Sequence, residues 1–160
     1  MNKTETYQYL TEHNIAYEVS EHKAVFNMEE AEALDLPYPE CDAKNLFIRD
    51  DKKQNYYLIT VKGDKRVDLK EFRKQPGLRA LSFASPEELS AVMGLTPGAV
   101  TPLGILNDVE RRVHFYLDKS FIGGKIGVHP NDNTATIWMQ AYELMDLIKK
   151  HGNAAEFTEL

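Results

Sequence analysis

Apolar positions along the chain recur with two different periods. Leu46-Phe47-Ile48 and Tyr56-Tyr57-Leu58-Ile59-Thr60-Val61 are strand-forming runs on either side of a polar turn, so they predict a hairpin with a longish loop. Ile15 to Val19, Leu78 to Phe83, Arg112 to Leu117, Lys125 to Val128 and Thr134 to Trp138 read as further strands. Helical spacing takes over between them. Thr4 to His13 puts Tyr7 and Leu10 on one face and ends at Asn14. Asn27, with Glu30 three residues on, caps a helix that carries Met28, Ala31 and Leu34 inward and stops before Pro37 and Pro39. Asp68 to Lys74 is a short helix stopped by Pro76-Gly77. Ser85-Pro86-Glu87-Glu88 opens another, with Leu89, Val92 and Met93 as its apolar side. A last helix spaces Ala141, Leu144, Met145 and Ile148 along one face and ends at Gly152. Leu95 to Leu106 holds two prolines and two glycines and predicts an ordered, non-helical loop. The tail from Asn153 is expected to be peripheral. The succession predicts an α/β fold: one domain over residues 1–160, a mixed, mostly antiparallel sheet of six to seven strands, and about five helices around it.

Composition narrows the function classes. With 42% hydrophobic and 28% charged residues the chain is an ordinary globular one. A net charge of −6 argues against coating nucleic acid wholesale but leaves room for a local basic patch. Cys41 is the only cysteine, so no internal disulfide forms and a reducing, cytoplasmic setting is expected. The residues after Met1 have no apolar signal core, and no run reaches membrane-spanning length, so a membrane is not an expected partner; DNA is not expected as one either. The histidines at 13, 22, 114, 129 and 151 lack short metal-ligand spacing, and no phosphate loop or dinucleotide fingerprint is present; no metal and no cofactor is expected.

Three stretches carry candidate chemistry. Strand alternation puts Lys44 on the face of Leu46 and Ile48, so its ammonium either enters a pocket with a polar partner or bends to water from the strand's start. Gly98-Ala99-Val100-Thr101-Pro102 has the spacing Gly-x-x-x-Pro. Alone it is a connector; as part of a site, such a rigid loop lets backbone approach a ligand and aim N–H groups at an oxyanion. His129-Pro130-Asn131 ends one strand and turns into the next, and alone His129 reads as a turn residue. Cys41 and His114 read as structural rather than reactive. Between Lys62 and Arg79 seven basic residues face three acidic ones; Lys65, Arg66 and Arg73 are candidate phosphate contacts, or else the solvated face of a short helix.

Taken together, Lys44 in Ala-Lys-Asn-Leu-Phe-Ile-Arg-Asp, Gly98 to Pro102, His129-Pro130-Asn131 and the early Ala24-Val25-Phe26…Glu29-Glu30-Ala31 resemble the ordered landmarks of the YbaK/ProX family of aminoacyl-tRNA editing domains. The resemblance runs from about Tyr7 to Ile148. It implies a YbaK-like fold and trans-editing: hydrolysis of the ester of a wrong amino acid on tRNA(Pro), alanine in the ProX branch and cysteine in the YbaK branch. The His-Pro-Asn turn inclines towards alanine. The resemblance also implies that Lys44 is the main catalytic-site residue, that Gly98, Ala99, Val100, Thr101 and Pro102 help bind the tRNA's terminal end, and that His129 and Asn131 line the site. Aminoacylated tRNA(Pro) is then the partner, with prolyl-tRNA synthetase as a second candidate. A non-catalytic tRNA- or synthetase-binding module on the same fold is the reading from a different class. A synthetase pocket made for proline discriminates against a smaller side chain by only about 1–3 kcal/mol, so editing needs a second pocket too small for proline. Val25, Phe26, Met28, Leu46 and Ile48 are the candidates for its apolar wall.

Overall fold

The computed structural model describes residues 1–27, 29–30, 33–63 and 65–160. The strands are β1 (Glu18–Glu21), β2 (Ala43–Asp50), β3 (Tyr56–Lys62), β4 (Leu81–Phe83), β5 (Val113–Asp118), β6 (Lys125–Val128), β7 (Ala135–Gln140) and β8 (Ala155–Thr158). The α-helices described are α1 (Lys3–Glu12), α2 (Leu69–Lys74), α3 (Pro86–Met93) and α4 (Ala141–His151). They form an α/β fold, but the expected single sheet is two. One is three-stranded and antiparallel, in the order β1-β7-β6; the other is five-stranded, in the order β4-β2-β3-β5-β8. Within the larger sheet β2 pairs antiparallel with β3 and β4, whereas β5 lies parallel to both β3 and β8. Among the described residues no helix is long and apolar enough to cross a membrane.

The hairpin reading follows from residue chemistry. Tyr56 to Val61 is buried at every position, which suits a central strand covered on both faces. Alternation along β2 sends Phe47 to the main apolar cluster, with α1, α3 and α4, and Ile48 to a second cluster with Phe72 of α2. α3 opens with the expected capping box: Ser85 Oγ accepts from the Glu88 amide, and the Glu88 carboxylate accepts from the Ser85 amide. Leu89, Val92 and Met93 are buried beneath it. Glu88 also accepts from Arg49 Nε at 3.0 Å and from the Tyr56 hydroxyl at 2.8 Å, which ties α3 to β2 and β3. Burial alone would raise the Glu88 carboxyl; these hydrogen bonds outweigh it and hold the group at about 2.

Two local expectations change, and a third falls partly outside the described residues. The tail is not peripheral: Ala155–Thr158 adds an edge strand to β5, and the buried Asn153 amide donates to Asp108 and to the Val113 carbonyl. A short strand at the end of the chain has no run long enough to stand out in sequence. The Leu95–Leu106 segment is partly helical, with 3₁₀ turns at Pro97–Ala99 and Pro102–Asn107, each opened by a proline whose missing N–H suits a first turn. The helix expected after Asn27 falls partly outside the described residues, since Met28 and Ala31 belong to the undescribed stretches. Its cap is visible: Asn27 Oδ1 accepts from the Glu30 amide at 2.8 Å.

Candidate active site

A cavity of about 210 Å³ opens where the two sheets meet. The start of β2 supplies one wall through Ala43, Lys44 and Asn45. The other comes from the end of β6 and from β7, through Gly127, Val128, His129 and Thr136. The segment after β1 adds His22, Val25 and Phe26, and the proline-bounded loop adds Pro97, Gly98 and Val100. The three sequence landmarks, far apart in the chain, thus border one space.

Short hydrogen bonds fix the walls to one another. Asn45 pairs across the hairpin with Thr60, whose hydroxyl donates to Asn45 Oδ1 at 2.7 Å. Asn45 Nδ2 then donates to the Val100 carbonyl at 3.2 Å, joining β2 to the loop. The buried Thr101 hydroxyl donates to the His129 carbonyl at 2.6 Å, joining the loop to β6. Asn133 Nδ2 donates to the Val25 carbonyl at 2.9 Å and holds the segment after β1 in place. Gly98 does allow a close approach, since a Cβ there would lie 2.7 Å from a ring carbon of Phe26. Gly127 faces a less yielding neighbour: its Cβ would sit 2.9 Å from the indole nitrogen of the buried Trp138.

The electrostatics divide along the same line. Lys44, half-buried, is a cation on the β2 wall. His129 on the opposite wall is held below the usual histidine value, first by burial and then by the neighbouring His22; the Ala135 carbonyl and Asp132 oppose that only in part. Its Nδ1 lies 2.8 Å from the Ala135 carbonyl. A carbonyl only accepts, so Nδ1 carries the proton and Nε2 of the neutral ring is an acceptor.

Several expected positions lie elsewhere. Leu46 and Ile48 do not border this cavity: Ile48 is fully buried in the second cluster and Leu46 packs against it. Sequence alternation grouped them with Lys44, but the cavity meets the end of β2, not one of its faces. Ala99, Thr101 and Pro102 are buried behind the loop, and the Ala99 amide is spent on the Thr96 carbonyl, so it is no oxyanion donor. Asn131 donates to the Thr6 hydroxyl at 2.9 Å, a structural link to α1. Met28 lies outside the described residues. In the basic segment, Lys65 bonds Asp118 at 2.8 Å and also Ser120 and the Leu160 carbonyl, so it braces the fold rather than offering a free cation. Arg66 is exposed and Arg73 half-buried. Cys41 is buried, and burial pushes its thiol up. His114 stacks on Tyr116 at 4.2 Å within the second cluster's aromatic layer. Sequence reading passed over His22, Asn45 and Thr136 on the cavity; Asn45 stood beside Lys44 with a polar side chain in a strand, the one visible signal.

This cavity sits inside the stretch, residues 22–147, that matches the aminoacyl-tRNA editing domain, and the chain belongs to that family. It is therefore an enzyme of the aminoacyl-tRNA deacylase class. The chain is 39% identical over 152 residues to the prolyl-tRNA editing protein ProX of Acetoanaerobium sticklandii, covering 94% of this chain and 93% of that one. It is 33% identical over 144 residues to the prolyl-tRNA synthetase associated domain-containing protein 1 of Mus musculus, covering 87% and 85%. In fold it matches the crystal structure of a candidate trans-editing enzyme for prolyl-tRNA synthetase, with a TM-score of 0.75 at 24% identity over 100% of this chain and 97% of that one.

Proposed function

We propose that the protein edits mischarged tRNA(Pro) in trans, hydrolysing the alanyl ester to alanine and free tRNA(Pro). The observation that carries this reading is the convergence of Lys44, of Gly98 and Val100 from the proline-bounded loop, and of the His129 corner on one small, partly apolar cavity. The prolyl-tRNA editing name of the relative at 39% identity supports the tRNA(Pro) part.

An aminoacyl ester is already activated, so a full nucleophile triad is not needed. Water attacks the carbonyl carbon; the carbon–oxygen bond to the ribose breaks; the water's proton ends on the ribose oxygen. The Lys44 ammonium stabilises the negative charge developing on the carbonyl oxygen, where a low-dielectric wall makes it count for more than in bulk water. The vicinal ribose hydroxyl orients the attacking water. Val25 and Val128 narrow the amino-acid end so that proline is excluded by size. Arg66 and Arg73 take phosphates of the acceptor end, and prolyl-tRNA synthetase is a second partner in this reading.

The test is to charge tRNA(Pro) with alanine, cysteine or proline and follow release of each. Fast release of alanine with proline retained is the expected result. Faster release of cysteine would reassign the substrate, and tRNA binding with no release of any of the three would make the protein a binding module.

A further inference from the structure

The wall opposite Lys44 is a set of hydrogen-bond acceptors, and the fold makes it so through a relay that reaches the surface. His22 Nδ1 lies 2.7 Å from the Lys23 carbonyl, which only accepts, so the ring's proton is on Nδ1. With Nδ1 engaged in this way, Nε2 is the ring nitrogen left to pair with Thr136 Oγ1, which lies 2.9 Å away. In that pairing the Thr136 hydroxyl donates to Nε2, and its own oxygen is left as an acceptor at the cavity's lining. His129 reaches the same state independently, through Nδ1 and the Ala135 carbonyl. The two imidazole rings are 6.3 Å apart, and His22, Thr136 and His129 all border the cavity. Two side-chain acceptors are thus set on the β6–β7 side of the lining, and Lys44 stands on the β2 side with Asp42 near it in the lining.

An α-amino ester carries its charge in the complementary pattern. Its ammonium is a pure donor, its carbonyl oxygen becomes negative during hydrolysis, and the two sit on adjacent carbons. We propose that Thr136 Oγ1 and His129 Nε2 receive the substrate's α-ammonium group, and that His22 is a positioning residue which fixes the Thr136 hydroxyl in its accepting orientation. The ester end is thereby turned towards Lys44. An acyl group without the amine leaves both acceptors buried and unpaired, which is costly, so the site selects an aminoacyl ester over a plain acyl ester. This rests on the reading of the cavity as a deacylation site and adds how the amino acid is oriented within it.

The experiment compares alanyl-tRNA(Pro) with propionyl-tRNA(Pro), the same ester lacking the amine, with each rate divided by its own uncatalysed rate. The wild-type protein is expected to prefer the alanyl ester by about 10- to 100-fold on that scale. Thr136→Val, which keeps the shape and removes the acceptor, is expected to lower this preference about tenfold. His22→Leu lowers it similarly, and His22→Gln, whose amide oxygen can accept from Thr136, recovers part of it. Thermal midpoints confirm that each variant is folded; if Thr136→Val is not, the His22 pair decides. A wild-type preference near one, or variants that slow both esters equally, overturns the proposal. Absence of alanine release by the wild-type protein would instead defeat the proposed function.

Discussion

The two sheets divide the labour unequally. The five-stranded sheet has β3 and β5 at its centre, nearly solvent-free, with apolar clusters on both faces. The three-stranded sheet is thinner: β1 is mostly exposed, and Val19 keeps 45% of its surface in water. Yet the thinner sheet and its extensions provide His22, Gly127, Val128, His129 and Thr136, while the larger one gives the cavity little beyond the first residues of β2. Both sheets feed the main core, the smaller through Ile126, Ile137 and Met139, but recognition sits mainly at the rim of the smaller one. Lys44, the catalytic group in the proposed function, stands at the start of β2 and so borrows rigidity from the core without disturbing it.

The sharpest way to break this comparison is Lys44→Ala. Deacylation is expected to fall at least about 100-fold, the scale for losing one oxyanion partner, with the thermal midpoint almost unchanged. Retained activity in a single-turnover assay removes Lys44 from the mechanism. Next come the two cavity glycines. Gly127→Ala drives a methyl into the buried Trp138 ring and is expected to cost about 1–3 kcal/mol in denaturant unfolding. Gly98→Ala meets Phe26, which is 68% exposed and free to swing, so it should cost less than about 1 kcal/mol yet reshape the cavity mouth and slow release of alanine.

Glu88 probes the core side of the comparison. Its carboxyl lies lower in the folded protein than in the unfolded chain, so its contribution is complete above the ordinary glutamate value of 4.5. That contribution is lost as pH falls from there through about 2. Glu88→Gln is expected to cost about 2 kcal/mol at neutral pH and to flatten the acid limb of a stability–pH curve. The smallest effects belong to the basic segment. Arg66→Ala with Arg73→Ala should weaken tRNA binding modestly and lower its salt dependence without touching stability. Lys65→Ala should instead lower the unfolding midpoint, because it removes the cation from the buried Asp118 carboxylate and leaves it with the Lys62 and Ser120 amides.

How much of this was legible beforehand depended on range. Local signals read well: the Ser85–Glu88 capping box, the β2–β3 hairpin and the Ala141 to Ile148 stripe all depend on residues a few positions apart. The cavity was legible only as landmarks whose order resembled a family, and period-two logic misplaced Leu46 and Ile48 because the cavity meets only the first residues of β2, while these two pack in the second cluster. The split into two sheets could not be read, since it depends on β1 pairing with β7 rather than with its neighbours in sequence. Thr136 and His22 had no signal as single residues; their meaning comes from a hydrogen bond between distant segments. Lys65 looked like its basic neighbours until Asp118 was placed beside it.

The pairing of β1 with β7 has a consequence for the order in which the protein is made. The first strand synthesised waits unpaired until one of the last is available, and β8 completes the other sheet later still. A nascent chain halted before β7 would already hold the Lys44 hairpin but would lack Thr136 and the strand that β1 needs. A protein that polices the input to translation would thus become competent only after β7 has itself been translated.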